Sequence, residues 1–134
     1  MKHLIMILLA SAVTLAYGCT SSDNGVKVIT VKEFYEAVKT DSSAVILDVR
    51  TAEEYAAGHI EGAINLNLKD SETFNKGIKA LDKDKTYYVY CHSGRRSNIA
   101  ASKMLNAGLK AIDMEGGIIA WKDANMPVAA STDK

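Results

Sequence analysis

A predicted strand passes into a predicted helix through a short loop in the sequence Thr86-Tyr87-Tyr88-Val89-Tyr90-Cys91-His92-Ser93-Gly94-Arg95-Arg96-Ser97. Its first five residues are aromatic or β-branched, a composition typical of a strand. Ser93 and Gly94 favour a tight turn, and a helix is predicted from about Arg95 to Ala107, where Gly108 can end it. Strand, loop and helix in this order form the repeating unit of proteins built on a parallel sheet.

The alternation of strand and helix continues on both sides of this loop. Short apolar runs predict further strands at residues 26–29, 44–47, 63–66 and 111–114. Further helices are predicted after capping boxes at Thr30 and Thr51, over residues 71–81, and around Trp121. Gly58 is expected to end the second helix in the left-handed conformation. We therefore predict an α/β fold, a single domain with a mostly parallel central sheet flanked by helices on both faces.

The first 18 residues are typical of a signal peptide. A positive start is followed by an apolar run over residues 4–16, which as a helix would span about 20 Å of a membrane core about 30 Å thick. The run ends before Cys19 in a sequence that resembles a bacterial lipobox. We therefore expect a removed signal peptide at 1–18, lipidated Cys19 with a flexible tether at 19–25, and the folded domain at 26–134.

This organisation predicts an exported lipoprotein, held at a membrane by the lipid on Cys19 and facing the periplasm or the cell exterior. The alternative is an ordinary signal peptide that is cut nearby and leaves Cys19 as a free thiol. A polar tether directly after the cysteine is what an anchored domain needs, so the lipoprotein interpretation is favoured.

Charge and composition disfavour several classes of function. The 134 residues carry 16 basic and 16 acidic side chains, so the net charge is zero and no nucleic-acid partner is predicted. The two cysteines, Cys19 and Cys91, form no Cys-x-x-Cys pair, which disfavours a dithiol oxidoreductase. The three histidines lack the spacing of metal ligands, so no zinc site is predicted.

The loop that begins at Cys91 is the candidate reactive site. The first N–H groups of the following helix have no intrahelical acceptor, so a curled loop directs several donors and the positive helix end toward the thiol. Arg95 and Arg96 add positive charge, and we expect the thiol to ionise more readily than a free cysteine does. The alternative is a buried, inert cysteine, but two arginines and a serine-glycine turn are poor core residues.

Three segments of the sequence together form a recognisable pattern. The first runs from Val45 through Asp48-Val49-Arg50 and Gly58-His59-Ile60 to Leu66. The second is the loop from Cys91 to Ser97, and the third runs from Gly116-Gly117 through Trp121 to Val128. In order and spacing these segments, which span most of residues 44–128, resemble single-domain rhodaneses, the thiosulfate sulfurtransferase family.

The resemblance implies a sulfurtransferase in which Cys91 is the catalytic nucleophile. Its thiolate would take sulfane sulfur from thiosulfate, a persulfide or a polysulfide, hold it as a persulfide, and pass it to a nucleophilic acceptor without metal or organic cofactor. Backbone N–H groups would stabilise the anionic sulfur, and the arginines would attract the donor. The residues expected to bind the donor and the sulfur are His92, Ser93, Gly94, Arg95, Arg96 and Ser97.

Four further residues in the resembling segments are expected to support the site. Asp48 and Arg50 would brace adjacent loops by hydrogen bonds, and His59 would anchor its own turn. Trp121 would pack in the core. His92 would tune the thiolate or line the rim of the site, because a cysteine that is already ionised needs no general base.

Two other functions stay open at this point. A rhodanese-like module could dock a partner or sense sulfur without turnover. A cysteine phosphatase or arsenate reductase also holds an oxyanion over a thiolate, but such loops place five residues between cysteine and arginine. Four residues separate Cys91 from Arg96, and Tyr90 stands where phosphatases commonly have histidine. The spacing therefore favours sulfur over phosphate.

Overall fold

Five strands and five helices alternate along residues 24–130, the part of the chain that the computed structural model describes. The strands are β1 (Lys27–Ile29), β2 (Ala44–Asp48), β3 (Ile64–Asn65), β4 (Thr86–Tyr90) and β5 (Lys110–Met114). The helices are α1 (Val31–Thr40), α2 (Ala52–Ala57), α3 (Ser71–Ala80), α4 (Arg95–Asn106) and α5 (Gly117–Asp123). The predicted signal peptide and Cys19 lie outside the described residues. Among residues 24–130, no helix is both long and apolar enough to cross a membrane.

The five strands form one parallel sheet in the order β1-β5-β4-β2-β3. This confirms the predicted α/β fold with a parallel central sheet. Strand β4 lies in the middle, where Val89 is paired with Leu47 of β2 on one side and with Asp113 of β5 on the other. The loop that follows Tyr90 therefore begins at the centre of the carboxyl edge of the sheet.

Both faces of the sheet are covered, which explains the continuous apolar runs in its strands. On one face Val89 and Cys91 pack with side chains of α3 and α4, including Phe74 and Met104. On the other face the alternate residues of the strands pack with Phe34 of α1 and with Ile118 and Trp121 of α5. Successive residues of β4 thus point to opposite cores.

The two predicted capping boxes are present, and Gly58 ends α2 as predicted but not in the predicted left-handed conformation. Thr30 caps α1 together with Glu33, and Thr51 caps α2 together with Glu54. Gly58 follows α2 with φ 163° and ψ 132°, which is extended rather than left-handed. The chain straightens there because His59 pairs with Ala129 in an isolated antiparallel bridge.

Candidate active site

Cys91 lies at the carboxyl end of the central strand, and its residue surface is only 1% exposed. The N–H group of Gly94 donates a hydrogen bond of 3.1 Å to its Sγ atom. The carbonyl oxygen of Cys91 accepts 2.9 Å from the N–H of Ile118, and that of His92 accepts 3.2 Å from the N–H of Ile119. Helix α5 thus holds the loop from outside while a loop amide contacts the sulfur.

Two glycines let the loop adopt this shape. Gly94 has φ 103°, in the region where side chains are strained, and this conformation brings its N–H back onto the sulfur. Gly117 has φ 61°, and a Cβ atom there would collide with the carbonyl group of His92. The sequence predicted that Gly116-Gly117 precedes a helix but not that Gly117 packs against the reactive loop. A glycine pair directly before a helix was the available signal.

Arg96 forms a two-point ion pair with Glu54 of α2. The two hydrogen bonds measure 2.7 Å from Nη1 to Oε1 and 2.9 Å from Nη2 to Oε2. The bond from Arg96 is the main reason that the pKa of Glu54 falls to about 2. Glu54 in turn raises the pKa of Arg96, and a charge at Cys91 acts in the same direction. Arg96 therefore joins α2 to the loop and contributes positive charge near the sulfur.

Sequence reasoning assigned no role to Glu54 in the site. Its capping function was visible, because a glutamate three residues after Thr51 completes a capping box. Its pairing with Arg96 joins residues 42 positions apart, and only the folded arrangement of α2 beside α4 reveals it.

The remaining predicted loop residues divide into buried and exposed groups. Ser97 is fully buried, and its hydroxyl donates 3.2 Å to the carbonyl oxygen of Gly94. His92, Ser93 and Arg95 are exposed at the rim. The buried residues can fix the shape of the loop, whereas the exposed ones can meet an incoming molecule.

Asp48 and Arg50 lie in a buried network behind the loop. Their ion pair measures 2.8 Å, and Arg50 Nη2 also donates 2.6 Å to the carbonyl oxygen of Gly58. The Tyr90 hydroxyl donates 2.6 Å to Asp48 and accepts 3.0 Å from the N–H of Ile60. Burial, together with the Asp48 charge, raises the pKa of Tyr90, which stays a neutral donor. The network ties the ends of β2 and β4 to the segment after α2.

The side chains of His59 and Trp121 are each fixed by ring contacts and by a contact to a backbone carbonyl oxygen. The His59 ring stacks on Tyr55 at 3.8 Å, and its Nδ1 lies 2.9 Å from the carbonyl oxygen of that residue. Trp121 is 2% exposed, meets Phe34 edge-on, and donates 2.9 Å to the carbonyl oxygen of Pro127. These contacts hold the turn after α2 and the end of the domain.

Nothing in residues 24–130 gathers three or more histidine, cysteine, aspartate or glutamate side chains where they could hold a metal ion. A sulfur atom with an N–H directed at it, a guanidinium nearby and a helix N-terminus after it is suited to carry negative charge.

Comparison with known proteins agrees with this geometry. Residues 30–124 match the family model described as a rhodanese-like domain. This range contains the whole Cys91 loop, the strands β2 to β5 and the helices α1 to α5. The match therefore covers the structural elements that build the site.

Two Bacillus subtilis proteins are similar in sequence. One, named "Putative sulfurtransferase YtwF", is 32% identical over 102 residues, which are 76% of this chain and 96% of that protein. The other, named "Putative sulfur carrier protein YrkF", is 38% identical over 104 residues, which are 75% of this chain and 55% of that protein. The chain thus matches nearly the whole of one relative and about half of the other.

Solved structures show the same architecture. A rhodanese-related protein from Thermoplasma volcanium superimposes with a TM-score of 0.69 at 33% identity, covering 78% of this chain and 98% of that one. A rhodanese-like domain protein from Staphylococcus aureus gives a TM-score of 0.69 at 29% identity, covering 80% of this chain and all of that one.

Proposed function

Because this chain belongs to the rhodanese-like domain family, we propose that it is a sulfurtransferase that carries sulfane sulfur as a persulfide on Cys91. The observation that supports this most directly is the hydrogen bond of 3.1 Å from the Gly94 amide to Sγ. A donor directed at sulfur stabilises the thiolate before the reaction and the persulfide anion after it.

The first half-reaction moves one sulfur atom from donor to protein. The Cys91 thiolate attacks the sulfane sulfur of thiosulfate, and a new sulfur–sulfur bond forms. The bond between the two sulfur atoms of thiosulfate breaks, and sulfite leaves with the electron pair. In the second half-reaction a nucleophile such as cyanide attacks the outer sulfur, thiocyanate leaves, and the thiolate is restored. Neither step requires a metal or an organic cofactor.

Some of the described residues hold the loop around the sulfur, and others can attract the anionic donor. Gly94 and Ser97 hold the loop around the sulfur, and Arg96 is fixed beside it by Glu54. Arg95 is exposed and has no such ion pair among the described residues, so its charge is available to an incoming anion. A small dianion such as thiosulfate suits this arrangement better than a bulky donor, because Cys91 is 1% exposed.

Turnover can be tested by thiocyanate production from thiosulfate, a persulfide or a polysulfide, each mixed with cyanide. The full chain should form thiocyanate with at least one donor, whereas Cys91→Ser should form none. Cys19→Ala is the matched control, since it removes the other thiol and should leave turnover unchanged. Thiocyanate production by Cys91→Ser at the wild-type rate would overturn the proposal.

The burial of Cys91 supports a second candidate function, a module that docks a partner or senses sulfur without turnover. Such a module would hold its thiol away from small molecules. It should accept no sulfur from any of the three donors while remaining folded, whereas the sulfurtransferase should accept it. The same thiocyanate assay, combined with circular dichroism, separates the two functions.

We also propose that the protein is exported and anchored in a membrane by lipid on Cys19, facing the periplasm or the cell exterior. The support is the sequence of residues 1–25, with its positive start, short apolar run, cysteine and polar tether. Labelled palmitate should enter the wild-type chain in a bacterial host and should not enter Cys19→Ala. Equal labelling of both chains would contradict the anchor, and Cys91→Ser serves as the control that should still be labelled.

A further inference from the structure

Asp113 is a buried carboxyl group that the proposed sulfur chemistry does not use. It lies on β5 with 2% of its surface exposed. Oδ2 accepts a hydrogen bond of 3.3 Å from the side-chain amide of Asn98, whereas Oδ1 has no hydrogen-bond partner among residues 24–130. Burying a carboxylate with an unsatisfied oxygen destabilises the folded state, so the presence of this group beside the start of α4 calls for an explanation.

Among residues 24–130, the groups beside Asp113 carry no positive charge. Its neighbours in register are Val28 of β1 and Val89 of β4, and helix α4 contributes Ser97 and Asn98. Of the two arginines in the first turn of α4, Arg96 is directed at Glu54 and Arg95 is exposed. The carboxyl group therefore faces apolar or neutral groups on every element packed against it.

The two α4 residues beside Asp113 also hold the reactive loop. The Ser97 hydroxyl and the Asn98 N–H both donate to the carbonyl oxygen of Gly94, at 3.2 and 3.3 Å. The N–H of the same Gly94 donates to the sulfur of Cys91. A short chain of contacts thus runs from the Asp113 carboxyl through the first turn of α4 to the thiol.

Asp113 and Cys91 share one face of the sheet. Asp113 is paired with Val89, and Cys91 lies two residues after Val89, directly beyond the end of β4, so both side chains point toward α4. A strand spacing of about 4.8 Å and a rise of about 6.6 Å for two residues place their Cα atoms roughly 8 Å apart. Because both side chains extend from the sheet toward the same helix, we expect their charged atoms at a similar separation, and two negative charges about 8 Å apart in a poorly hydrated interior repel each other.

We propose that Asp113 is a positioning residue for sulfur loading, whose negative charge, acting beneath the first turn of α4, makes Cys91 harder to ionise and so renders its reactivity sensitive to pH. The proposal deepens the proposed function and rests on it, since it assigns a regulator to the same thiol. When the carboxyl takes up a proton from solvent, the opposing charge disappears and the thiolate is favoured.

The environment of the Asp113 carboxyl group determines the pH range in which its charge affects Cys91. Burial raises the pKa of Asp113 to about 6, although Ser97 and Asn98 lower it. Asp113 is thus neutral in mildly acidic solution and ionised at neutral pH. The charge that opposes the thiolate is therefore present at neutral pH and absent in mildly acidic solution.

The test compares the pH profile of Cys91 alkylation by iodoacetamide in the full chain with that of Asp113→Asn. Both chains carry Cys19→Ala so that only one thiol reacts. The midpoint of the profile should fall in Asp113→Asn by between about 0.4 and 1.5 pH units, the Coulomb range for two charges roughly 8 Å apart. Asp123→Asn removes an exposed charge at the end of α5 and should leave the midpoint unchanged.

A second variant covers the case in which Asp113→Asn does not fold. Asn98→Ala keeps Asp113 but removes the amide that favours its ionised form, so the midpoint should fall in the same direction by a smaller amount. An unchanged midpoint in folded Asp113→Asn, or in folded Asn98→Ala if Asp113→Asn does not fold, would overturn the inference. Alkylation needs no sulfur donor, so a chain that shows the shift but loads no sulfur contradicts the proposed function and not the role of Asp113.

Discussion

Arg96 and Glu54 join the reactive loop to helix α2 through two parallel hydrogen bonds of 2.7 and 2.9 Å. The arginine is the sixth residue of the loop when Cys91 is counted as the first, and the glutamate is also the N3 residue of the α2 capping box. One carboxylate therefore orients the start of α2 and the start of α4. This pairing fixes a positive charge near the sulfur and restricts the movement of the guanidinium group.

Glu54→Gln should loosen the loop while keeping most of the α2 cap, because glutamine can also complete a capping box. The pair is partly exposed, so we expect a loss of about 1 kcal/mol in the free energy of unfolding by urea. Sulfur loading should slow by about tenfold, because a small displacement of the groups that position the reacting atoms lowers the reaction rate strongly. Glu53→Gln, an exposed neighbour, is the control and should change neither quantity.

The same pair predicts how stability changes in acid. The pKa of Glu54 is lowered to about 2, from an ordinary value of 4.5, so its contribution is present above pH 4.5 and is lost as the pH falls toward 2. Urea unfolding at pH 5 and pH 3 should show a smaller loss for Glu54→Gln than for the wild type. Equal losses in the two chains would mean that the pair does not stabilise the fold.

The buried carboxyl group of Asp113 should give stability the opposite dependence on pH, in a higher pH range. Its pKa is raised to about 6, so the folded state is favoured while the carboxyl is protonated and loses that advantage as the pH rises through 6. Between pH 4 and pH 7 the wild type should lose about 2 kcal/mol more free energy of unfolding than Asp113→Asn does. Parallel pH dependences in the two chains, measured by urea unfolding, would contradict the burial of an ionised Asp113.

Gly117→Ala should damage the site more than an ordinary glycine substitution does. A Cβ atom at Gly117 would collide with the carbonyl group of His92, and the φ of 61° adds backbone strain. We expect a loss of about 2–4 kcal/mol in stability and a drop in sulfur loading of at least about tenfold. Gly62→Ala is the matched control, because its φ is 82° but open space surrounds it, so about 1 kcal/mol should be lost and loading retained.

Arg95→Ala should weaken attraction of the anionic donor without disturbing the loop. The side chain is exposed, so its charge acts through solvent and is screened by salt. KM for thiosulfate should rise about threefold at low salt with kcat unchanged, and the difference should shrink at high salt. Lys122→Ala, which removes an exposed charge from α5, should have no such effect. A changed kcat with constant KM would assign Arg95 to positioning instead.

The local features of the fold were predictable because each depends on neighbouring residues. The strand before Cys91, the caps at Thr30 and Thr51 and the glycine turn at Gly94 are all encoded within a few positions. The conformation of Gly58 was predicted wrongly because the bridge between His59 and Ala129, which are distant in sequence, keeps the chain extended there. Local signals fail where a tertiary contact fixes the backbone.

The long-range features of the site could not be predicted from one sequence. The pairing of Glu54 with Arg96 and the position of Asp113 beneath α4 depend on strand order and register. Strand order determines which residues become neighbours, and β5 lies beside β4 although α4 separates them in the chain. The family resemblance singled out Cys91, and the fold shows which residues contact its loop.

If the proposed function is right, Cys91 accepts and releases one sulfur atom. This transfer can be followed by mass spectrometry of the Cys91 peptide after treatment with thiosulfate and again after cyanide. We expect a gain of about 32 Da on that peptide alone, complete removal by cyanide, and no gain in Cys91→Ser. An unmodified Cys91 peptide in a folded chain, after exposure to thiosulfate, persulfide and polysulfide in turn, would contradict it.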